Sequence, residues 1–246
     1  MAWKVFFIIF TSAFMVAYVA SEIPSYIHTC GRKDPNIDNC IVSSINDLRD
    51  NICKGMPELH SPPFEPFFLD SIAISDTDNA KLFLKNSKIT GLCDFVINSF
   101  HLDLDKLRFD FDVEFKKVYL NGTYDFDIHV LVPFVHQGPV YLSSDNVKAK
   151  ASVDIKMVTK NDKKYIYISK MNLNLILNEL KIKFDSNGNE SAQLNEIIST
   201  FVGSNEEEFI ARVKPSLEAD ITKQVLLIAN TILKHFTFDE LFPDRA

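Results

Sequence analysis

The chain has 246 residues, 46% of them hydrophobic and 21 of them Phe, and carries 33 acidic against 26 basic side chains for a formal net charge of −7. That is core material for one large domain or two small ones. The acidity argues against nucleic acid and anionic membrane surfaces, which reward basic patches, and seven Gly with no G-x-G-x-x-G or P-loop exclude a glycine-rich phosphate cradle.

At the N-terminus Lys4 precedes the apolar run Val5 to Ala17, and Val19-Ala20-Ser21 offers small residues before Glu22. Residues 1–21 therefore read as a secretory signal peptide. The run is shorter than the roughly 20 apolar residues that span a bilayer, and no later segment of that length lacks charges. Cutting after Ser21 removes only Lys4 among the charges and leaves a mature chain, 22–246, of net charge −8. A soluble, secreted protein is expected.

Four Cys in a secreted chain allow three pairings. Cys30 and Cys40 are the closest pair and flank the turn-forming Asp34-Pro35-Asn36. A bridge across that loop stabilises by roughly 2.5–3 kcal/mol on the chain-entropy model. Cys53 and Cys93 are open between a second bridge and two buried thiols. No Cys-x-x-Cys spacing points to zinc.

Residues 37–54 read as a helix, with Asp38 at its N-cap and a stripe of Ile41, Ile45, Leu48 and Ile52. Gly55 is its stop. Pro57 to Pro66 holds four prolines and must be an extended connector. Phe64, Phe67 and Phe68 are expected to pack against the apolar side of the sheet.

The middle of the chain is strand. From Leu102 to Phe115 apolar residues alternate with Asp103, Asp105, Arg108, Asp110, Asp112 and Glu114, and the one slip at Lys106-Leu107 reads as a bulge or turn. The pattern predicts strands at 69–75, 80–90, 93–104, 107–120, 123–133, 139–157 and 164–184. Turn signals separate them at 75–79, Asn121-Gly122, Gln137-Gly138-Pro139 and Asn161-Asp162. Short links between long strands predict a meander, twisted and curled, with one apolar side. The sequons at Asn121 and Asn189 fall on turn signals and read as exposed glycosylation sites. Asn121-Gly122 also reads as a plain type I′ hairpin turn.

Beyond residue 189, Leu194, Ile197, Ile198 and Phe201 predict a short helix ended by Gly203. Ser204 is expected to cap a long helix from Asn205 to His235. Phe209, Val213, Leu217, Ile221, Val225, Ile228 and Ile232 form its apolar stripe, and Pro215 predicts a kink or fresh start. Such a stripe needs an equally long trough, and the curled sheet is the trough available.

These pieces resemble a known family. Cys30 and Cys40 surround Asp34-Pro35-Asn36, and Lys54-Gly55-Met56-Pro57-Glu58-Leu59 leads to Pro62-Pro63-Phe64-Glu65-Pro66. An Asn-Gly-Thr-Tyr stretch stands at 121–124, and Phe238-Asp239-Glu240-Leu241-Phe242-Pro243 near the C-terminus. Their order and spacing resemble the insect takeout and haemolymph juvenile-hormone-binding-protein family, part of the tubular lipid-binding superfamily, over essentially the whole mature chain. The resemblance implies an α+β fold: a long C-terminal helix wrapped by a highly curved antiparallel sheet, elongated, with an internal apolar tunnel. It maps the family disulfide onto Cys30 and Cys40, leaves Cys53 and Cys93 outside the pattern, and associates the chain with circadian rhythm. It implies a single domain over 22–246 that carries a small hydrophobic ligand, such as a juvenile hormone-like terpenoid, a fatty acid or an odorant. A lipid- or lipopolysaccharide-binding defence protein and a ligandless secreted signalling protein are the alternatives.

Catalysis leaves no trace. His28, His60, His101, His129, His136 and His235 are scattered, with no H-E-x-x-H and no G-x-S-x-G. The Asp103/Asp105 and Asp110/Asp112 pairs alternate onto the wet face and lack the loop Gly and terminal Glu of an EF-hand. No enzyme, metal or cofactor is expected. The inward phase of the strands nominates Phe83, Phe95, Phe109, Phe111, Phe115, Phe126 and Phe134 as tunnel lining, faced by Val225 and Ile228 from the helix. Tyr141 is nominated beside them, with Tyr119, Tyr124, Ser99 and Thr90 as further polar groups that could orient a ligand. The expected partners are that small hydrophobic ligand and an unidentified receptor, with no nucleic acid and no membrane insertion. The chain is expected to be a monomer.

Overall fold

The period-two alternation becomes one antiparallel sheet in the computed structural model, which describes residues 23–129, 133–185, 190–202 and 205–246. The predicted signal peptide, the Asn189 sequon and the Gly203-Ser204 helix boundary lie outside those residues. Six strands are described: β1 (Phe67–Thr77), β2 (Ala80–Thr90), β3 (Phe95–Asp103), β4 (Arg108–His129), β5 (Pro133–Lys160) and β6 (Lys163–Phe184). Their spatial order is β1-β2-β4-β5-β6, with β3 paired to β4 alone. The sheet is therefore not the simple meander expected: β2 lies along Tyr119–Ile128 of β4 and β3 along Arg108–Phe115, on the same side.

Two of the predicted turns are strand. A single register joins β4 to β5 from Arg108 opposite Asp154 to His129 opposite Pro133, and it passes through Asn121-Gly122 and Gln137-Gly138-Pro139. At about 3.3 Å per residue that ladder is roughly 70 Å long. The glycines serve close approach instead of reversal. A Cβ on Gly122 would sit 3.0 Å from Lys85 O and Ser87 Oγ, and one on Gly138 would sit 2.6 Å from the Tyr124 hydroxyl. The slip at Lys106-Leu107 is a turn, with Leu107 at φ 50°.

The predicted first helix is two pieces, α1 (Ile37–Asp47) and α2 (Arg49–Lys54), ended by Gly55 at φ 87°. Asn36 holds the N-cap position, without a side-chain bond. Asp38 is committed elsewhere: its carboxylate accepts from Leu102 N at 2.8 Å and meets His101 Nδ1 at 2.9 Å, tying α1 to β3. The proline connector includes a 3-10 turn at Pro57–Leu59, which interrupts the extended path. Phe64 and Phe67 turn inward as expected, but Phe68 alternates outward. Disulfides join Cys30 to Cys40 and Cys53 to Cys93, each with Cα atoms 5.9 Å apart. The second bridge ties α2 to the loop after β2.

After α3 (Glu190–Ile197) and a π-helical turn at Ile198–Val202 comes α4 (Glu206–Leu233), about 42 Å long at 1.5 Å per residue. Asn205 caps it by accepting from Glu208 N at 3.0 Å, and three glutamates occupy its first turn, where the helix dipole favours them. The helix does not restart at Pro215. Both Pro215 and Ala211 are exposed, so the carbonyl that loses its i+4 donor faces water.

Helix α4 packs on β6 and on β1, the two ends of the strand order. One helix can touch both edges only if the sheet curls, and the result is a half-barrel with α4 across its gap. Polar groups on α4 meet backbone amides of these edge strands. Glu206 accepts from Leu180 N at 2.6 Å, Glu218 from Leu175 N at 2.7 Å and Ser216 from Ala73 N at 3.0 Å. Three of the edge amides that invite pairing with another chain are thereby occupied. A capped turn, α5 (Phe238–Leu241), closes the end beyond α4.

Candidate ligand-binding cavity

Between α4 and the inner face of the half-barrel lies a cavity of about 380 Å³. Its floor is the alternation seen in the sequence: Phe95, Phe109, Phe111, Val113 and Phe115 from β3 and β4, then Ala149, Met171, Leu173 and Leu175 from β5 and β6. Val213, Leu217, Ile221 and Val225 of α4 form the roof, and Ile45, Ile52, Phe64 and Leu92 add a side wall. Opposite Val113 and Phe111, β5 places only Ala149 and Ala151. Small side chains there leave unfilled the space that larger ones would occupy in a close-packed interior.

Packed apolar clusters adjoin the lining on two sides. At one, Tyr124, Phe126 and Phe184 pack ring on ring, with centroids 5.0–5.8 Å apart. At the other, Leu102, Ile155 and Ile166 are buried against Ile41, Leu233, Leu241 and Phe242.

Among the described residues the lining carries no charge. Its polar members are Ser143 and Ser144, and the Ser144 hydroxyl is engaged, donating to Asn178 O at 2.6 Å. The Arg49 guanidinium lies behind the wall, 4.1 Å from the centroid of the Phe95 ring, and donates to Cys93 O at 3.2 Å. Asp220, on α4 next to Ile221, is not in the lining; burial raises its carboxyl above the ordinary value, against the lowering pull of the Ser216 hydroxyl 3.5 Å away. Among the described residues no group of three His, Cys, Asp or Glu side chains could hold a metal ion, and no helix is long and apolar enough to cross a membrane.

Of the residues nominated from sequence, Phe95, Phe109, Phe111, Phe115 and Val225 meet on the cavity wall. Phe126 is fully buried in the aromatic cluster, and Phe134 stacks on His136 beside it at 5.7 Å. Ile228 packs, half-buried, on the main core. Phe83 and Tyr141 are on the outer face, because Leu82, Leu84, Val140 and Leu142 take the inward positions of their strands. Tyr124 is buried, its hydroxyl 2.8 Å from His136 Nδ1 and donating to Asp185 O at 3.3 Å. Tyr119 and Ser99 are exposed, and Thr90 is half-buried off the cavity. Among the residues missed are Ile45, Ile52, Leu92, Ala149, Met171 and Leu173. The helical stripe at Ile45 and Ile52 was readable, but its destination was not.

A sequence model described as haemolymph juvenile hormone binding protein (JHBP) matches residues 5–243. Among solved structures, Takeout 1 of Epiphyas postvittana superposes with a TM-score of 0.70 at 20% identity, covering 87% of this chain and 99% of that one. A lipopolysaccharide binding protein aligns with a TM-score of 0.38 at 12% identity, over 77% of this chain and 38% of that one. No curated protein sequence matches.

Proposed function

The chain belongs to the haemolymph juvenile hormone binding protein family, and we propose that it is a secreted, monomeric carrier holding one small uncharged apolar molecule between α4 and the sheet. One observation supports this most directly: among the described residues the lining is apolar except for Ser143 and Ser144. A terpenoid ester or an odorant meets apolar surface throughout; Ser143 stands opposite outward-facing Tyr119, so its side chain is on the outer face, and Ser144 is already bonded to Asn178 O. An ionised fatty acid finds no cation in that lining, and burying an unpaired carboxylate costs several kcal/mol. The carrier domain spans 22–246 after loss of the signal peptide.

The test is displacement of an apolar fluorescent probe by a long-chain methyl ester and by the free acid of the same chain. At pH 8 the ester should displace at a concentration at least tenfold lower, and the gap should close as the acid becomes protonated. Equal displacement at pH 8 would overturn the neutral-ligand reading. Failure of any apolar probe to bind delipidated, folded protein would favour a ligandless signalling protein.

A second reading, contact with an anionic lipid surface, draws on the exposed tip of the β5–β6 hairpin. Lys156, Lys160, Lys163 and Lys164 lie there beside Val158 and Tyr167, all exposed, in a chain that is acidic overall. Co-sedimentation with phosphatidylserine vesicles that is lost at high salt would support it; equal recovery with neutral vesicles would not.

A further inference from the structure

Three exposed rings interrupt the polar outer face of the sheet around one residue. Phe68 is 56% exposed and Tyr119 and Tyr141 are each 44% exposed. Asn121 on β4 stands directly opposite Tyr141 on β5 and, on its other side, opposite Lys88 on β2. Lys88 is itself opposite Phe68 on β1, with its Nζ 5.8 Å from the ring centroid. Tyr119 precedes Asn121 by two residues and so shares its face. With strands about 4.8 Å apart and a rise of about 3.3 Å per residue, Tyr141 and Tyr119 lie within about 5–7 Å of Asn121 and Phe68 about 10 Å away. Asn121 is exposed and begins Asn121-Gly122-Thr123.

We propose that Asn121 carries an N-linked glycan whose first N-acetylglucosamine residues lie on the bed formed by Tyr141, Tyr119 and, farther out, Phe68. A pyranose of this kind presents a face of C–H bonds, weakly positive, which complements the negative face of an aromatic ring. The occupant is tethered at the centre of the patch, which a diffusing protein partner is not. Attachment forms a bond between Asn121 Nδ2 and the anomeric carbon of a lipid-diphosphate oligosaccharide. The bond from that carbon to the diphosphate oxygen breaks, the lipid diphosphate leaves, and the amide proton passes to a base of the transferase. Because Asn121 ends up in a paired strand, the sugar is added while the chain is still extended, before β2 and β5 flank it.

The experiment uses the full chain secreted from insect cells. Glycopeptide mass spectrometry reads occupancy at Asn121, with the Asn189 sequon in the same sample as a record of passage through the glycosylation machinery. Nitration by tetranitromethane then reads the rings, comparing glycosylated protein with the enzymatically deglycosylated form and with Asn121→Gln. Asn121 should be occupied, and nitration of Tyr119 and Tyr141 should slow at least threefold when the glycan is present, while Tyr167 nitrates at the same rate. An unmodified Asn121 in the secreted chain, or equal nitration of Tyr119 and Tyr141 with and without the glycan, would overturn the proposal. Neither readout involves the cavity, so the outcome is separate from that of the carrier reading.

Discussion

Asn230 and Ile168 hold each other by two hydrogen bonds: Ile168 N donates to Asn230 Oδ1 at 2.8 Å, and Asn230 Nδ2 donates to Ile168 O at 3.0 Å. A side chain of α4 thus stands in for the strand that β6 lacks on its outer side. Asn230→Leu leaves both backbone groups of Ile168 without that partner and should lower unfolding free energy by about 1–2 kcal/mol, within the range for half-buried unmade bonds. Urea unfolding reads this as a lower midpoint at constant slope. An unchanged midpoint would mean that water replaces the side chain without cost.

Val225 and Ile228 lie one turn apart on α4 but face different surroundings. Both pack on the main core, but Val225 also borders the cavity and Ile228 does not. Ile228→Ala should cost about 2–3 kcal/mol, the low end for large-to-small core changes because the site is half-buried. Val225→Trp should be accommodated by the cavity, with little stability lost and probe affinity reduced at least tenfold. If Val225→Trp unfolds the protein at the 1–3 kcal/mol or more that overpacking a filled core costs, the cavity is not free space.

The Cys53–Cys93 bridge closes a loop of 40 residues. Chain entropy assigns such a closure about 4 kcal/mol, against about 2.7 for the ten-residue loop of Cys30–Cys40. Replacing Cys53 and Cys93 together by Ala should therefore destabilise more than the same change at Cys30 and Cys40. Ordering the two double variants by urea midpoint checks this, after non-reducing peptide mapping of the parent. The loop held by the long bridge is also clamped by Glu65, which accepts from Gly91 N at 2.8 Å and Cys93 N at 3.0 Å. That clamp will blunt the difference if it persists without the disulfide.

Two histidines should tilt stability in opposite directions with pH. The Asp38 carboxylate bonded to His101 raises that imidazole above its ordinary 6.5, so this pair contributes fully below pH 6.5 and loses its contribution as pH rises through the native value. Burial lowers His235, with Lys234 and the stacked His60 ring 5.4 Å away adding to it, and its Nε2 is buried without a hydrogen-bond partner. The native state resists protonation there, so stability is lost as pH falls below 6.5. Relative to the parent, His235→Phe should flatten the loss on the acid side and His101→Asn the loss on the alkaline side. Urea midpoints measured from pH 5 to 8 test both slopes, and parallel curves for all three proteins would dismiss both.

The alternation from Leu102 to Phe115 announced the β3–β4 hairpin and the cavity floor because a sheet with one buried face writes its phase into every second residue. The stripe from Phe209 to Ile228 announced α4 for the same reason at a different period. Phe83 shows where such reading fails: in Leu82-Phe83-Leu84 three apolar residues in a row carry no phase, and only Lys81 and Lys85, two positions to either side, mark Phe83 as outward. Asn121-Gly122 carried a turn signal, but Gly122 answers a packing demand from β2, a strand more than 30 residues away, which local pattern cannot convey. Ala149 was invisible as a site residue because a cavity is made by what is absent, and absence shows only when Val113 and α4 are set around it. Asp38 looked like a cap because its true partner, Leu102 N, is brought to it by the tertiary fold.

Because α4 comes after all six strands in the chain, the half-barrel is synthesised before the helix that seals it. Until Ser216, Glu218 and Asn230 have left the ribosome, β1 and β6 remain unsealed and the apolar concave face has no roof. Docking of α4 therefore follows completion of the sheet in synthesis, and it is the step that roofs the concave face. A nascent chain stalled ahead of residue 206 is a natural client for chaperones that shield open strand edges.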